Sequence, residues 1–238
     1  MHGFYFRGPT DMVNGKFENY LCTFVANNQS SFTTLVNVGA NVGIYPCIAL
    51  QNNYENVLAI EPNRSNFKIM KANIRRNGWA KKVELLNVGC AGESGTGILF
   101  GRNTGASLIP FWEGNIASKG VEIDTVTLDS LLMPFALHKK TLVIIDVEGF
   151  EFEVIRGSTL AMESTGSFSW LIEVSLYRSI DGKESLTPGL ENFFSKFLNL
   201  GYSVLVYDSA WRQLSEEEIT FYTSGEVFWP ALPFLFQK

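Results

Sequence analysis

"LVNVGANVGIYPCIAL", residues 35–50, is the stretch on which the fold turns. An apolar run ends at Asn37, glycines follow at 39 and 43 with Asn41 between them, and a second apolar run carries Pro46. A strand that ends in a glycine turn and feeds a helix is the entry unit of a doubly wound sheet. There a ligand can reach the backbone and the first N–H groups of the helix. Pro46 suits the first helical turn, where its missing N–H has no intrahelical partner. The pattern is not G-x-G-x-x-G, so the dinucleotide fingerprint is absent, and taken alone the turn is equally a plain strand-to-helix connection.

Outward from this turn, strand-like and helical runs alternate, the mark of a mostly parallel sheet with crossover helices. The strand-like runs are "TLVNV" (34–38), "VLAIE" (57–61), "VELLNV" (83–88), "TLVIIDV" (141–147), "WLIEVS" (170–175) and "YSVLVYD" (202–208). Most are apolar on both faces, as a sheet covered on both sides requires. "SNFKIMKANIRRNG" puts Phe67, Met70 and Ile74 on one helical stripe and stops at Asn77-Gly78. "TPGLENFFSKFLNLG" predicts a helix with Thr187 as N-cap, Pro188 at its first position and Gly201 as its stop. Residues 96–126 break the alternation, with strands "TGILF" and "VEIDTV" around the loop "GRNTGASLIPFWEGN", a small β insertion after the third strand. The tail "FWPALPFLF" is too short to span a membrane and reads as a core strand, with a surface-docking patch as the alternative. We expect an α/β fold with residues 1–30 as an N-terminal cap segment, "GKFENYLCTFVANN" forming a helix over the sheet or the site. Residues 31–238 then form a single domain.

Composition narrows the partners. The chain of 238 residues is 46% hydrophobic and 18% charged, a globular balance, and its net charge of −5 offers no large positive field. Nucleic acid is therefore not expected as a partner. Three cysteines (22, 47 and 90) without C-x-x-C spacing predict buried free thiols rather than a disulfide framework or a zinc knuckle. The start lacks the apolar core of a signal peptide, and no run supplies the ~18 to 20 apolar residues of a transmembrane segment, so a cytoplasmic location is expected.

Acids stand at the predicted strand ends. Glu61 follows Asn37 at about the spacing where nucleotide-binding sheets place the acid that binds a ribose diol. Asp146 sits where a central strand emerges, and Glu148 shares its face if the strand continues two residues further. Gly149 frees the backbone to turn into a helix, whose first turn carries Glu151 and Glu153 as structural charges. Glu173 lies at the end of the next apolar strand. Asp146, Glu148 and Glu173 are thus the candidate chemical groups, as general base, metal ligands or binders of substrate hydroxyls. His138, Lys139 and Lys140 precede the Asp146 strand and belong at the opposite rim, while His2 reaches the site only if the N-terminal segment folds over it.

In order, "NVGANVG", "AIEPNRSNFKIMKANIRRNG", "VTLDSLL" and "IIDVEGFEFEVIRGS" resemble the landmarks of FkbM-type methyltransferases, a branch of the S-adenosylmethionine-dependent enzymes. The resemblance covers residues 35–175 and implies the Rossmann-like, seven-stranded class I fold with strand order 3-2-1-4-5-7-6. Its last, antiparallel strand would fall near "EVFWPALP". It implies that Gly39, Asn41 and Gly43 line the methionine part of the cofactor and Glu61 its ribose, with Cys90 and Ala91 near adenine. It also implies O-methyl transfer to a hydroxyl of a sugar, glycan or secondary-metabolite-like acceptor, with Asp146 as base or metal ligand and Glu148 and Glu173 as its partners. An oxygen-rich site suits Mg²⁺ or Ca²⁺ but requires neither. A homo-oligomer is compatible with this reading. Two positions depart from the family pattern: Asn37 replaces the usual Asp, so as a cofactor-binding residue it keeps a hydrogen bond toward the cofactor's amino end but loses charge attraction, and Ile144 stands where many members carry Lys. The alternative reading, motivated by Asn37, is a non-catalytic relative that binds a cofactor or a partner.

Overall fold

The computed structural model describes residues 3–101, 105–112, 120–136, 139–164, 168–180, 183–225 and 231–238. The leading segment contributes α1 (Thr10–Val13) and α2 (Asn19–Asn27), and the quoted turn joins β1 (Thr34–Val38) to α3 (Ile44–Gln51). The chain continues through β2 (Asn56–Ile60), α4 (Arg64–Arg76) and β3 (Val83–Leu86). The expected insertion follows as β4 (Gly89–Cys90), β5 (Gly95–Leu99) and β6 (Val121–Val126), a small separate sheet. Next come α5 (Leu128–Ala136), β7 (Thr141–Ile145), α6 (Glu151–Arg156), α7 (Thr159–Glu163) and β8 (Phe168–Val174). A two-stranded hairpin of β9 (Tyr177–Ile180) and β10 (Lys183–Leu186) leads to α8 (Leu190–Asn199). The chain closes with β11 (Ser203–Tyr207), β12 (Trp211–Gln213), α9 (Glu216–Ser224) and β13 (Leu232–Gln237).

The main sheet runs β12-β11-β13-β8-β7-β1-β2-β3, with β3, β2, β1, β7 and β8 mutually parallel and β13 antiparallel to both neighbours. Without β12 this is the expected order 3-2-1-4-5-7-6. The eighth strand, β12, is a short edge strand paired antiparallel to β11. All five residues of β1 and of β7 are buried, as central strands covered on both faces must be.

Alternation along the strands sends residues to two cores. On one face Val36, Val143 and Trp170 meet α8 and β13; there Phe197 stacks on Phe236 with ring centroids 3.9 Å apart and Phe193 stands edge-on to it. This aromatic cluster accounts for much of the unusual phenylalanine content, and truncating one such ring costs about 3–5 kcal/mol. On the other face Leu35, Leu142 and Leu171 meet α2, α3 and α4. There Tyr20 stacks on Tyr207 (4.3 Å), Phe24 packs on Trp211 (5.1 Å) and the Tyr54 hydroxyl donates to the Val25 carbonyl. Asn73 of α4 and its C-cap Asn77 hold the leading segment by reciprocal hydrogen bonds to the backbone of Arg7 and Tyr5.

The final strand, Leu232–Gln237, overlaps the end of "EVFWPALP", of which residues 226–230 lie outside the described residues. Two local expectations shift. Thr187 does not cap α8: its hydroxyl donates to the Ser175 carbonyl, and the helix starts after Gly189 in the left-handed region. The strand bearing Asp146 ends at Ile145, so Glu148 does not share a strand face with Asp146 but sits in a left-handed turn (φ 55°). The cysteines are free and buried as expected, and among the described residues no helix is long and apolar enough to cross a membrane.

Candidate active site

The glycine turn is built by backbone pairing. The N–H groups of Gly39 and Ala40 both donate to the Ile60 carbonyl, drawing the turn over the end of β2. Gly39 has φ 80°, and a Cβ there would lie 1.8 Å from the Asp146 carbonyl oxygen, so only glycine lets the two strand ends approach. Glu61, 5% exposed, accepts from the Asn41 N–H at 2.8 Å and the Asn63 N–H at 2.7 Å. Burial pushes its carboxyl up to about 7 against the pull of those two donors. Asn63 in turn caps α4 by accepting from the N–H groups of Ser65 and Asn66. One acid thus ties the glycine turn to the start of the next helix, with lone pairs left on both oxygens.

A cleft opens beside it, lined by Gly39, Asn41, Glu61, Cys90, Asp146 and Glu148, with Ile60, Val88, Leu99, Leu108 and Phe150 as apolar walls. The Asn41 side-chain oxygen is buried there without a hydrogen-bond partner. Gly43, at the start of α3, and Ala91 lie outside this lining; the Ala91 N–H pairs with the Val126 carbonyl. An apolar slot between a buried acid and unpaired amide atoms has the chemistry to take a nucleoside with a polar tail.

The "DVEG" turn forms the far wall. Ser107 donates to the Glu148 carbonyl (2.7 Å) and the Trp112 indole N–H donates to the Glu148 carboxylate (3.4 Å). Trp112 lies so close over Gly149 that a Cβ there would come within 2.4 Å of its ring. The insertion loop is therefore seated on this turn, although residues 102–104 and 113–119 lie outside the described residues. Glu151 is buried and accepts from the N–H groups of Val147 and Gly149, and burial pushes it up to about 7. It shapes the turn rather than facing a ligand, while Glu153 pairs with Arg156 at the surface.

Asp146 and Glu173 stand one residue past the paired rung Ile145–Ile172, hence side by side on one face of the sheet. Glu18, just before α2, joins them: one carboxylate oxygen from each of the three lies within 4.8 Å of the others. Burial holds the Asp146 carboxyl well above the usual range, and the charges of Glu173 and Glu18 push it further. Glu173 is pushed up to about 8 by burial and then by Glu18, while a hydrogen bond from Asp146 acts the other way. Tyr45, from the first turn of α3, donates its hydroxyl to Glu18. Asn37, on the same face of β1, is fully buried, and neither its Oδ1 nor its Nδ2 has a partner.

The structure thus brings Asp146 and Glu173 together at one end of the sheet and puts Gly39, Asn41, Glu61, Cys90 and Glu148 around the adjoining cleft. Glu18, Tyr45 and Trp112 were missed. The only sequence signal for Glu18 was an acid just ahead of an apolar helical run, and nothing local ties it to strands over a hundred residues away. His2 and His138 lie outside the described residues; Lys140 lies at the opposite end of the sheet, its carbonyl accepting from Thr34 at the start of β1.

Comparison with known proteins agrees with the fold and gives the family. The chain is 29% identical over 159 residues to hexuronic acid methyltransferase AglP of Haloferax volcanii, a match covering 63% of this chain and 58% of that protein. The chain therefore spans less than two thirds of that relative's length. The solved structure of methyltransferase FkbM from Methylobacillus flagellatus superposes with a TM-score of 0.53 at 16% identity, covering 85% of this chain and 43% of that one. Precorrin-6y C5,15-methyltransferase from Geobacter metallireducens gives a TM-score of 0.50 at 10% identity over 98% and 94% of the two chains, a likeness of fold alone. The methyltransferase FkbM domain model matches residues 37–204, well over half of the sequence. The chain belongs to the FkbM family of S-adenosylmethionine-dependent methyltransferases.

Proposed function

We propose that the protein transfers a methyl group from S-adenosylmethionine to a hydroxyl of a sugar, glycan or similar small hydroxylated acceptor. The observation that carries this is the continuity between the Glu61 cleft and the Asp146–Glu173 pair, which meet across the Gly39 turn. When bound, the cofactor supplies a methyl group on sulfonium sulfur, open to attack by oxygen. Glu61 accepts from the ribose hydroxyls with the lone pairs not used by Asn41 and Asn63. Asn41, and Asn37 behind it, offer amide groups to the polar tail. Cys90 and the apolar walls hold the base.

On the acceptor side, Asp146 takes the hydroxyl proton as the new bond forms, and Glu173 beside it raises its basicity. Trp112 and Ser107 hold the "DVEG" turn and keep water from the reacting oxygen. Fixing the acceptor oxygen in line supplies much of the acceleration. The acid-rich end of the sheet favours a neutral sugar hydroxyl over a carboxylate as the reacting group, and the relative named for hexuronic acid supports sugars as the class of acceptor to try first.

Calorimetry with S-adenosylmethionine tests the cofactor half, and no binding to the folded protein refutes it. A panel of hexuronic acids, deoxysugars and glycans, read by mass for a single added methyl, tests the rest. The rival reading of a silent relative draws on Asn37, where charge attraction for the cofactor's amino end is lost. It predicts cofactor binding without transfer to any member of the panel.

A further inference from the structure

We propose that Glu18, Asp146 and Glu173 hold one divalent cation and that this ion receives the acceptor's hydroxyl oxygen. The ion's role rests on the transferase reading above; the existence of the site does not. The three acids come from the start of α2 and the ends of β7 and β8, yet one oxygen from each lies within 4.8 Å of the others. Opposed ligands on a Ca²⁺ ion are about 4.6–5.2 Å apart, so oxygens within 4.8 Å of one another lie in the range of one shared Ca²⁺, while the shorter bonds of Mg²⁺ need them drawn closer. None of the ion pairs among the described residues involves these acids. Three adjacent carboxylates in a half-buried site repel one another unless a proton or a cation joins them, and a cation can join all three at once.

An independent observation points the same way. Asn37 is fully buried with both side-chain polar atoms unpaired, and strand alternation turns it to the face that carries Asp146 and Glu173. Its register partner is Ile144, which makes Asp146 its diagonal neighbour, about 8 Å away for parallel strands at the usual spacing and rise. Two short side chains and two metal–oxygen bonds span that distance. The Asn37 Oδ1 beside carboxylates is an ordinary hard-cation donor set, and its Nδ2 stays free to donate to the cofactor's polar tail. Tyr45 orients Glu18 from behind, as outer partners of metal-binding carboxylates do. The ion would lower the pKa of the acceptor hydroxyl. Its O–H bond then breaks toward the Asp146 oxygen that is not on the ion, while the oxygen–methyl bond forms and the methyl–sulfur bond breaks.

The test uses chelator-stripped full chain titrated with Mn²⁺, free ion being counted by electron paramagnetic resonance. One bound Mn²⁺ per chain is expected, weakened tenfold or more in Glu18→Gln and in Glu173→Gln, with surface Glu153→Gln unchanged. Asn37→Leu removes two unpaired polar atoms, so it is expected to fold at least as well as wild type while binding Mn²⁺ several-fold more weakly. Circular dichroism verifies that each variant is folded. No binding below millimolar Mn²⁺, or equal binding by folded Glu18→Gln, overturns the proposal. The competing occupant is the cofactor's own ammonium group: one-for-one displacement of Mn²⁺ by S-adenosylmethionine also overturns the proposal, whereas joint binding supports it. Mn²⁺ bound to a chain that ignores S-adenosylmethionine leaves the site standing and removes the transferase reading.

Discussion

Glu61→Gln probes both the stability of the cleft and its ligand. In the folded chain burial pushes the Glu61 carboxyl from 4.5 up to about 7, so the folded state holds this proton more tightly than the unfolded chain does. The stability linked to this group is therefore fully present below pH 4.5 and is lost as the pH rises through 7. Between pH 5 and pH 8 that loss integrates to about 2.5 kcal/mol. Gln cannot ionise and escapes it. At every pH, however, Gln offers one acceptor oxygen where Glu61 serves two backbone donors, which costs about 1–3 kcal/mol. The variant should thus be the weaker protein at pH 5 and gain about 2.5 kcal/mol on wild type by pH 8, ending near parity. Urea unfolding at the two pH values measures this, and the other buried acids cancel because both proteins carry them. In parallel, calorimetry should show S-adenosylmethionine binding weakened about 10- to 100-fold, the worth of a charged acceptor lost from a diol. A stability difference that is the same at both pH values would refute the burial argument. Unchanged affinity would remove Glu61 from the cofactor site.

Further predictions follow from the same contacts. Asp146→Asn relieves repulsion among the acids, so it should leave stability intact and S-adenosylmethionine affinity within a few-fold, while transfer falls by about 100-fold or more; full turnover by the variant would rule out Asp146 as base. Gly39→Ala forces a Cβ against the Asp146 carbonyl at a positive φ and should destabilise by about 3–5 kcal/mol, read by thermal or urea unfolding. Trp112→Ala uncovers Gly149 and frees the Glu148 turn, so acceptor KM should rise about tenfold with cofactor affinity unchanged; an equal loss in cofactor binding would show that the indole supports the whole cleft.

Much of the site was legible because strand ends in a parallel sheet gather at one rim. Once the runs at 34, 57, 141 and 170 are taken as parallel strands, Gly39, Glu61, Asp146 and Glu173 must share that rim. The misassigned details all lie where a strand stops. Glu148 shares a strand face with Asp146 only if the strand runs on, but β7 ends at Ile145, where Gly39 and Trp112, both from distant sequence, pack against the exit of the strand. Thr187 looks like an N-cap by its neighbours, yet the Ser175 carbonyl takes its hydroxyl, a partner no local rule supplies. The eighth strand, β12, is only three residues long and lacks an apolar signature.

By itself, the sequence determined the strands of a mostly parallel sheet, the glycine turn and the acids at the strand ends, because periodicity and turn chemistry are local properties that survive without knowledge of contacts; the strand order came from the resemblance to FkbM-type methyltransferases. The tertiary structure alone decided how those acids are charged and who joins them. Glu18 comes from a helix that covers the sheet through Tyr20–Tyr207 and Phe24–Trp211 stacking, and its approach turns a pair of carboxylates into a three-acid cluster. Coulomb repulsion and desolvation depend on distances and on the exclusion of water, which exist only after the chain has folded.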